Sequence, residues 1–189
     1  VAYGAQDIYL TGNPQVTFFK TVYRRHTNFS REQIEQVRLG DAEISGRCSF
    51  VISRNADLLH RLYLHLTYAT SACRYQNAFA SIDNIQLTIG GQIIDTHYGD
   101  WMNIWTELTS SGDKSVMLSD MVDCQVLNRT SIIPLQFWFC RNPGLAIPLV
   151  ALQYHDIKIT VEFSAASSAN ETITDAKLWC DYIYLDTDE

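Results

Sequence analysis

Apolar and polar residues alternate with a period of two through much of this chain. In 44–53, Ile44, Cys48, Phe50 and Ile52 share one face and Ser45, Arg47, Ser49 and Ser53 the other. In 60–70, Leu62, Leu64, Leu66 and Tyr68 alternate with Arg61, Tyr63, His65 and Thr67. Ile85, Leu87 and Ile89 repeat the pattern, as do Ile157, Ile159, Val161 and Phe163. A strand sends successive side chains to opposite faces, so such segments predict strands with one face on a core and one in water, the antiparallel habit. Ile132–Cys140, a nearly unbroken apolar run ending at the turn signal Arg141-Asn142-Pro143-Gly144, predicts a more deeply buried strand, and Leu178–Leu185 another. Residues 16–23 and 33–39 are further candidates. Gly90-Gly91 between two apolar runs predicts a two-residue hairpin, where positive φ is needed.

One segment departs from this period. Trp101, Ile104, Trp105 and Leu108 fall at i, i+3, i+4 and i+7, a helical stripe, with Asp100 as the expected N-cap and Gly112 as the expected stop. Residues 113–122 predict a second short helix. The stripe is read as the face that docks on the sheets, the alternative being a sugar-stacking platform made by Trp101 and Trp105. About eight strands and one helical excursion predict an all-β fold: an eight-stranded antiparallel jelly-roll sandwich with a short helical insertion around residues 100–122.

Composition narrows the function. The chain has 189 residues, 47% hydrophobic and 19% charged, which suits one globular domain able to bury a core without staples. Its net charge of −7 argues against direct nucleic-acid binding, which calls for a basic surface. The charge is uneven: residues 1–40 carry five basic and three acidic side chains, whereas 41–189 carry nine basic and eighteen acidic, a net of −9. Arg24-Arg25-His26 is a basic cluster in that first segment. No apolar run approaches the ~18 residues that cross a bilayer as a helix.

Signals for chemistry are weak. The five cysteines (Cys48, Cys73, Cys124, Cys140, Cys180) are widely spaced, without a CxxC pair, and read as core thiols. No two of the histidines His26, His60, His65, His97 and His155 are two apart, so a cupin-type metal site has no H-x-H pair. His60 and His65 point to opposite faces if they lie on one regular strand. Asp95 and Asp100, and Asp186 with Asp188, are read as turn, cap and tail residues rather than a catalytic pair. No nucleophile elbow or phosphate-binding glycine loop occurs. No catalytic, cofactor-binding or metal-binding residue is expected. The sequons at Asn28, Asn128 and Asn170 leave glycosylation open.

The residues also carry a resemblance. The stretch from Gly4 to Lys20 (GAQDIYLTGNPQVTFFK) with 22–29 (VYRRHTNF), then 89–95 (IGGQIID) with 97–101 (HYGDW), 134–144 (PLQFWFCRNPG) and 148–155 (PLVALQYH) resemble, in that order, major capsid proteins of large double-stranded DNA viruses, the double jelly-roll family of the nucleocytoplasmic group. The resemblance runs from Gly4 to the terminal residues. It implies a structural, non-enzymatic virion protein. Such proteins form homotrimers, pseudo-hexagonal capsomers that meet neighbouring capsomers and minor capsid proteins and tile an icosahedral shell over an internal membrane, assembled in the infected host cell, in the cytoplasm. It also implies an N-terminal arm over 1–30, a first jelly roll over 31–189, and a second that this chain does not contain, making it the N-terminal part of a longer product or else a single-roll variant. Arg24 and Arg25 are expected to meet acidic partners or lipid head groups on the inner face. Two other classes stay open on the same fold: a carbohydrate-binding module and a cupin-type metalloenzyme.

Overall fold

The computed structural model describes residues 28–40, 46–68, 78–123, 130–164 and 173–186. The strand candidate at 16–23, Arg24, Arg25, Cys73, Cys124, Asn128, Asn170 and most of the Ser164–Ala169 loop lie outside them. The chain divides into two units, Ser30–Tyr184 and a smaller one of Val1–Phe29 with Leu185–Glu189. In the smaller unit the Asn28 amide donates to the Asp186 carboxylate at 3.4 Å.

Ten strands are described: β1 (Phe29–Gln36), β2 (Arg38–Gly40), β3 (Arg47–Val51), β4 (Leu58–Tyr68), β5 (Ile82–Ile89), β6 (Gln92–Tyr98), β7 (Thr130–Pro134), β8 (Ile147–Pro148), β9 (Ile157–Phe163) and β10 (Ile173–Leu185). Eight have five residues or more, the number that the alternation predicts. One sheet runs β1-β10-β4-β7 with β8 also on β4; the other runs β2-β3-β9-β5-β6. The registered pairs are antiparallel. This is the expected jelly-roll sandwich.

Its core is the layer between the sheets. Leu62, Leu64 and Leu66 of β4 and Ala176, Leu178 and Cys180 of β10 meet Cys48 and Phe50 of β3, Ile85 and Leu87 of β5, and Ile159 and Val161 of β9, all at 1% exposure or less. Each fully buried Leu, Ile or Phe contributes about 1.5–3 kcal/mol relative to exposure. A buried polar knot closes one edge. The Gln36 side-chain Oε1 accepts from the Ser53 backbone N–H at 2.8 Å and from its hydroxyl at 2.9 Å, and the Tyr182 hydroxyl donates to the Ser53 backbone carbonyl at 2.6 Å. That ties the end of β1 and the middle of β10 to the segment after β3, in the opposite sheet.

The Gly90-Gly91 hairpin between β5 and β6 forms as the sequence predicts, with φ of 59° and 87°, the left-handed pair that a two-residue turn demands. Three other expectations change. The buried run after Ile132 stays a strand only as far as Pro134, and the chain then turns into α3 (Trp138–Arg141); the Leu135 N–H still donates to the Leu62 carbonyl at 3.0 Å, and beyond it Phe137 and Phe139 are buried by the turn into the helix. The helical excursion is two helices, α1 (Gly99–Thr109) and α2 (Gly112–Val122), the second where 113–122 predicts it, but the ends of α1 differ from expectation. Tyr98, not Asp100, is the N-cap of α1, and Gly112 opens α2 instead of ending α1, which Ser110 caps. The early start follows from packing: Gly99 lies so close to the backbone carbonyls of Phe79 and Ile82 that a Cβ there overlaps both.

The docked face of α1 also differs from the predicted stripe. Met102 is fully buried, whereas Ile104 is 57% and Leu108 79% exposed. What holds the helix is a ladder of rings. Phe139 stacks on Phe137 (centroids 5.8 Å), Phe137 on His97 (4.5 Å), His97 meets Trp101 (4.4 Å), Trp101 stacks on Trp105 (5.5 Å), and the Arg141 guanidinium lies 4.3 Å over Trp105. The ladder joins β6, α1 and the turn into α3. Aromatic pairs of this kind contribute about 0.5–1.5 kcal/mol each beyond burial. His97 Nε2 lies 3.0 Å from Asp95 Oδ2, and its buried Nδ1 has no partner. Burial lowers the His97 pKa from 6.5 and Arg141 adds to this, while Asp95 opposes it. The ring is therefore neutral in the fold at neutral pH, with Nε2–H donating to Asp95.

Gly99→Ala should destabilise the fold by about 1–3 kcal/mol, because the obstructing atoms are backbone. Gly112→Ala, where a Cβ meets nothing within 4 Å, should be neutral or stabilising by up to about 1 kcal/mol. Urea unfolding of both variants measures the contrast. For His97, the neutral form's stability is intact above pH 6.5 and declines as pH falls below it toward the lowered native value. The unfolding midpoint should drop between pH 7.5 and 5.5, and His97→Phe, which keeps a ring in the ladder but cannot protonate, should flatten that drop in thermal melts.

Candidate assembly surfaces

The residues weighed for chemistry are mostly occupied with holding the fold. His60 and His65 both sit on β4, but β4 is not regular. Cys180 and Tyr182 of β10 pair with Leu62 and Leu59, so β4 carries one extra residue and a bulge at 60–61. Leu59 and Leu62 both enter the core, alternation is interrupted, and the expected opposition of the two histidines is lost. His60 is fully buried and its Nδ1–H donates to the Phe139 carbonyl at 2.8 Å. His65 is half-buried on the outer side of the sheet. Among the described residues no group of three or more His, Cys, Asp or Glu side chains could hold a metal ion.

Asp95 is engaged with His97, and Asp100 lies in the first turn of α1, where a carboxylate favours the helix dipole. Cys48, Cys140 and Cys180 are buried free thiols, as expected. Burial pushes the Cys48 and Cys140 thiols up to about 12 and raises Cys180 as well, so none is a ready nucleophile. The indoles of Trp101 and Trp105 are stacked on each other and on His97 and Arg141, which leaves no open platform for a sugar ring.

The exposed surface carries a different signal. Apolar side chains stand in solvent on several separate flanks: Ile93, Ile94 and Tyr98 on β6; Ile104 and Leu108 on α1 with Val116 and Met117 on α2; and Leu145, Val150 and Tyr154 around β8, Tyr154 being 92% exposed. Where such exposed side chains form contiguous apolar surface, they mark contact with another macromolecule. Helical periodicity located the α1 residues but assigned them inward; the exposure of the others depends on the sheet edge and the turns around β8, which leave no periodic trace. Four ion pairs between basic and acidic side chains link strands and loops at the surface: Arg38–Asp175 at 2.7 Å, Arg47–Glu162 at 3.4 Å, Arg54–Asp156 at 3.1 Å and Lys177–Glu35 at 3.3 Å. Arg24 and Arg25 lie outside the described residues.

Comparison with known proteins places the chain in a family. The family described as "Major capsid protein N-terminus" matches residues 17–186. The major capsid protein of Pyramimonas orientalis virus is 49% identical over all of this chain and 52% of its own length. That of Paramecium bursaria Chlorella virus 1 is 39% identical over all of this chain and 47% of its own. The chain thus spans about half the length of these curated relatives. Among solved structures, a quasi-atomic model of the PBCV-1 virus capsid superposes with a TM-score of 0.79 at 36% identity, covering 91% of this chain and 46% of that one. The Faustovirus major capsid protein, at 10% identity and a TM-score of 0.67, shares the fold. With a family match across 170 residues, from 17 to 186, and a jelly-roll sandwich beneath it, this chain belongs to the major capsid protein family and corresponds to its N-terminal part.

Proposed function

We propose that this chain is the first jelly roll, residues 31–189 behind an N-terminal arm of 1–30, of a structural capsid subunit with no enzymatic role. In this reading the whole product continues into a second jelly roll and three copies close into a pseudo-hexagonal capsomer. Capsomers and minor capsid proteins then tile an icosahedral shell of the virion over an internal membrane, with assembly in the cytoplasm of the infected cell. The observation that carries it is the family match over 17–186, in relatives named as capsid proteins.

The physical form supports the same reading. A threefold ring uses heterologous contacts, so different patches of one subunit must meet, and several separate apolar flanks supply them. Permanent interfaces often bury more than ~2,000 Å² in total. A thick two-sheet core gives such walls rigidity. The carbohydrate-binding reading loses its support with the engagement of Trp101 and Trp105. For the arm, its positive balance against an acidic body supports a place on the inner base, where Arg24 and Arg25 meet acidic partners or lipid head groups.

Light scattering of the full-length product should give three copies per particle; a stable monomer at micromolar concentration overturns the capsomer reading. Deleting residues 1–25 should reduce packing of capsomers into shells, seen by electron microscopy, and normal shells reject the role given to the arm.

A further inference from the structure

The described residues include nine lysines and arginines, and most are spent. Arg38, Arg47, Arg54 and Lys177 are in the ion pairs above, and Arg31 has interactions of its own. Four remain without a carboxylate partner: Arg61, Lys114, Arg141 and Lys158. Three of those four line a single cleft of about 440 Å³, between α1, α2, the bulge of β4 and the turn into α3. No Asp or Glu lines it, in a protein of net charge −7.

The cleft is organised as well as positive. The Arg141 guanidinium is held 4.3 Å over the Trp105 ring, which fixes its plane and leaves its N–H edges to donate sideways. Arg61 projects from the β4 bulge, which turns it out of the core beside the segment that carries Arg141. Cys140 lines the same cleft, and both guanidiniums favour its thiolate, after the backbone hydrogen bonds of Leu62 and Phe137 and against the larger effect of burial. Lys114 comes from the first turn of α2, and Ser110 and Gln136 add polar groups to the lining. Three cations around one opening match a ligand of two or three negative charges, and a guanidinium fork fits the oxygens of a phosphate group in bidentate fashion. A single carboxylate leaves two of the cations unmatched.

We propose that this cleft binds a phosphate group, with Arg61, Arg141 and Lys114 as its donors. Free polyphosphate and a phospholipid head group share that chemistry, and the test separates them.

Isothermal titration calorimetry of the intact protein with inorganic pyrophosphate, and sedimentation with phosphatidic acid vesicles, form the two arms. Saturable binding is expected in at least one, weakening as potassium chloride is raised. Arg61→Gln and Arg141→Gln should each weaken it about tenfold or more, and Lys114→Gln, on an exposed helix turn, should weaken it too. Lys158→Gln, unpaired but in another groove, should leave it unchanged. Circular dichroism confirms the fold of each variant; should an arginine variant be unfolded, Lys114→Gln decides. Pyrophosphate binding assigns a free ligand, and vesicle binding alone assigns a head group. The proposal is overturned by no saturable binding in either arm, by equal affinity in the folded cleft variants, or by a hexaglutamate peptide binding more tightly than pyrophosphate.

Discussion

Everything in this fold depends on one dry layer between two sheets. Neither sheet can bury its apolar face alone, and each supplies the cover for the other: the leucines of β4 and the row Ala176, Leu178 and Cys180 of β10 against Phe50, Ile85, Leu87, Ile159 and Val161. Backbone groups in the layer are paired along the strands, and the polar side chains that it encloses are few, Ser131 of β7 among them. At its margin Gln36, Ser53 and Tyr182 satisfy one another, and the knot crosses from one sheet to the other.

The helical excursion shows how an attached element is made part of that body. Only Gly99 and Met102 of α1 are buried, too little to anchor eleven residues. The ring ladder from Phe139 through His97 to Trp105 and Arg141 supplies the rest, and takes its strength from rings contributed by three separate stretches of chain. His97 belongs in this ladder only as a neutral ring, which links the attachment of the helix to pH.

The distribution of charge follows the same economy. On an acidic body four of the nine described lysines and arginines are held in cross-strand and loop ion pairs. Exposed pairs of this sort add little stability, about 0–1 kcal/mol each, yet they settle which basic groups remain free. Those left over are concentrated in the cleft beneath α1 and α2, while the outer flanks present apolar side chains.

Period-two alternation by itself determined the strands β3, β4, β5 and β9, the inward set on each, and with them the sandwich; Gly90-Gly91 determined its hairpin, because only glycine takes two successive positive φ values without strain. The four separated blocks that resemble the capsid family determined the kinship that the comparisons bear out. The tertiary structure alone decided the rest. The bulge at 60–61 reversed the parity of β4 because Leu59 and Leu62 are both demanded by the core. The apolar run after Ile132 left the sheet for α3 because Phe137 and Phe139 are taken into the ring stack and the Phe139 carbonyl is met by His60. The helix α1 turned Met102 inward and left Ile104 and Leu108 in solvent, because the close approach of Gly99 to Phe79 and Ile82 and the stack on His97 set its rotation. Periodicity reports which side chains shun water along one element; which neighbour arrives to cover them is set by atoms far away in sequence, and no local pattern records that.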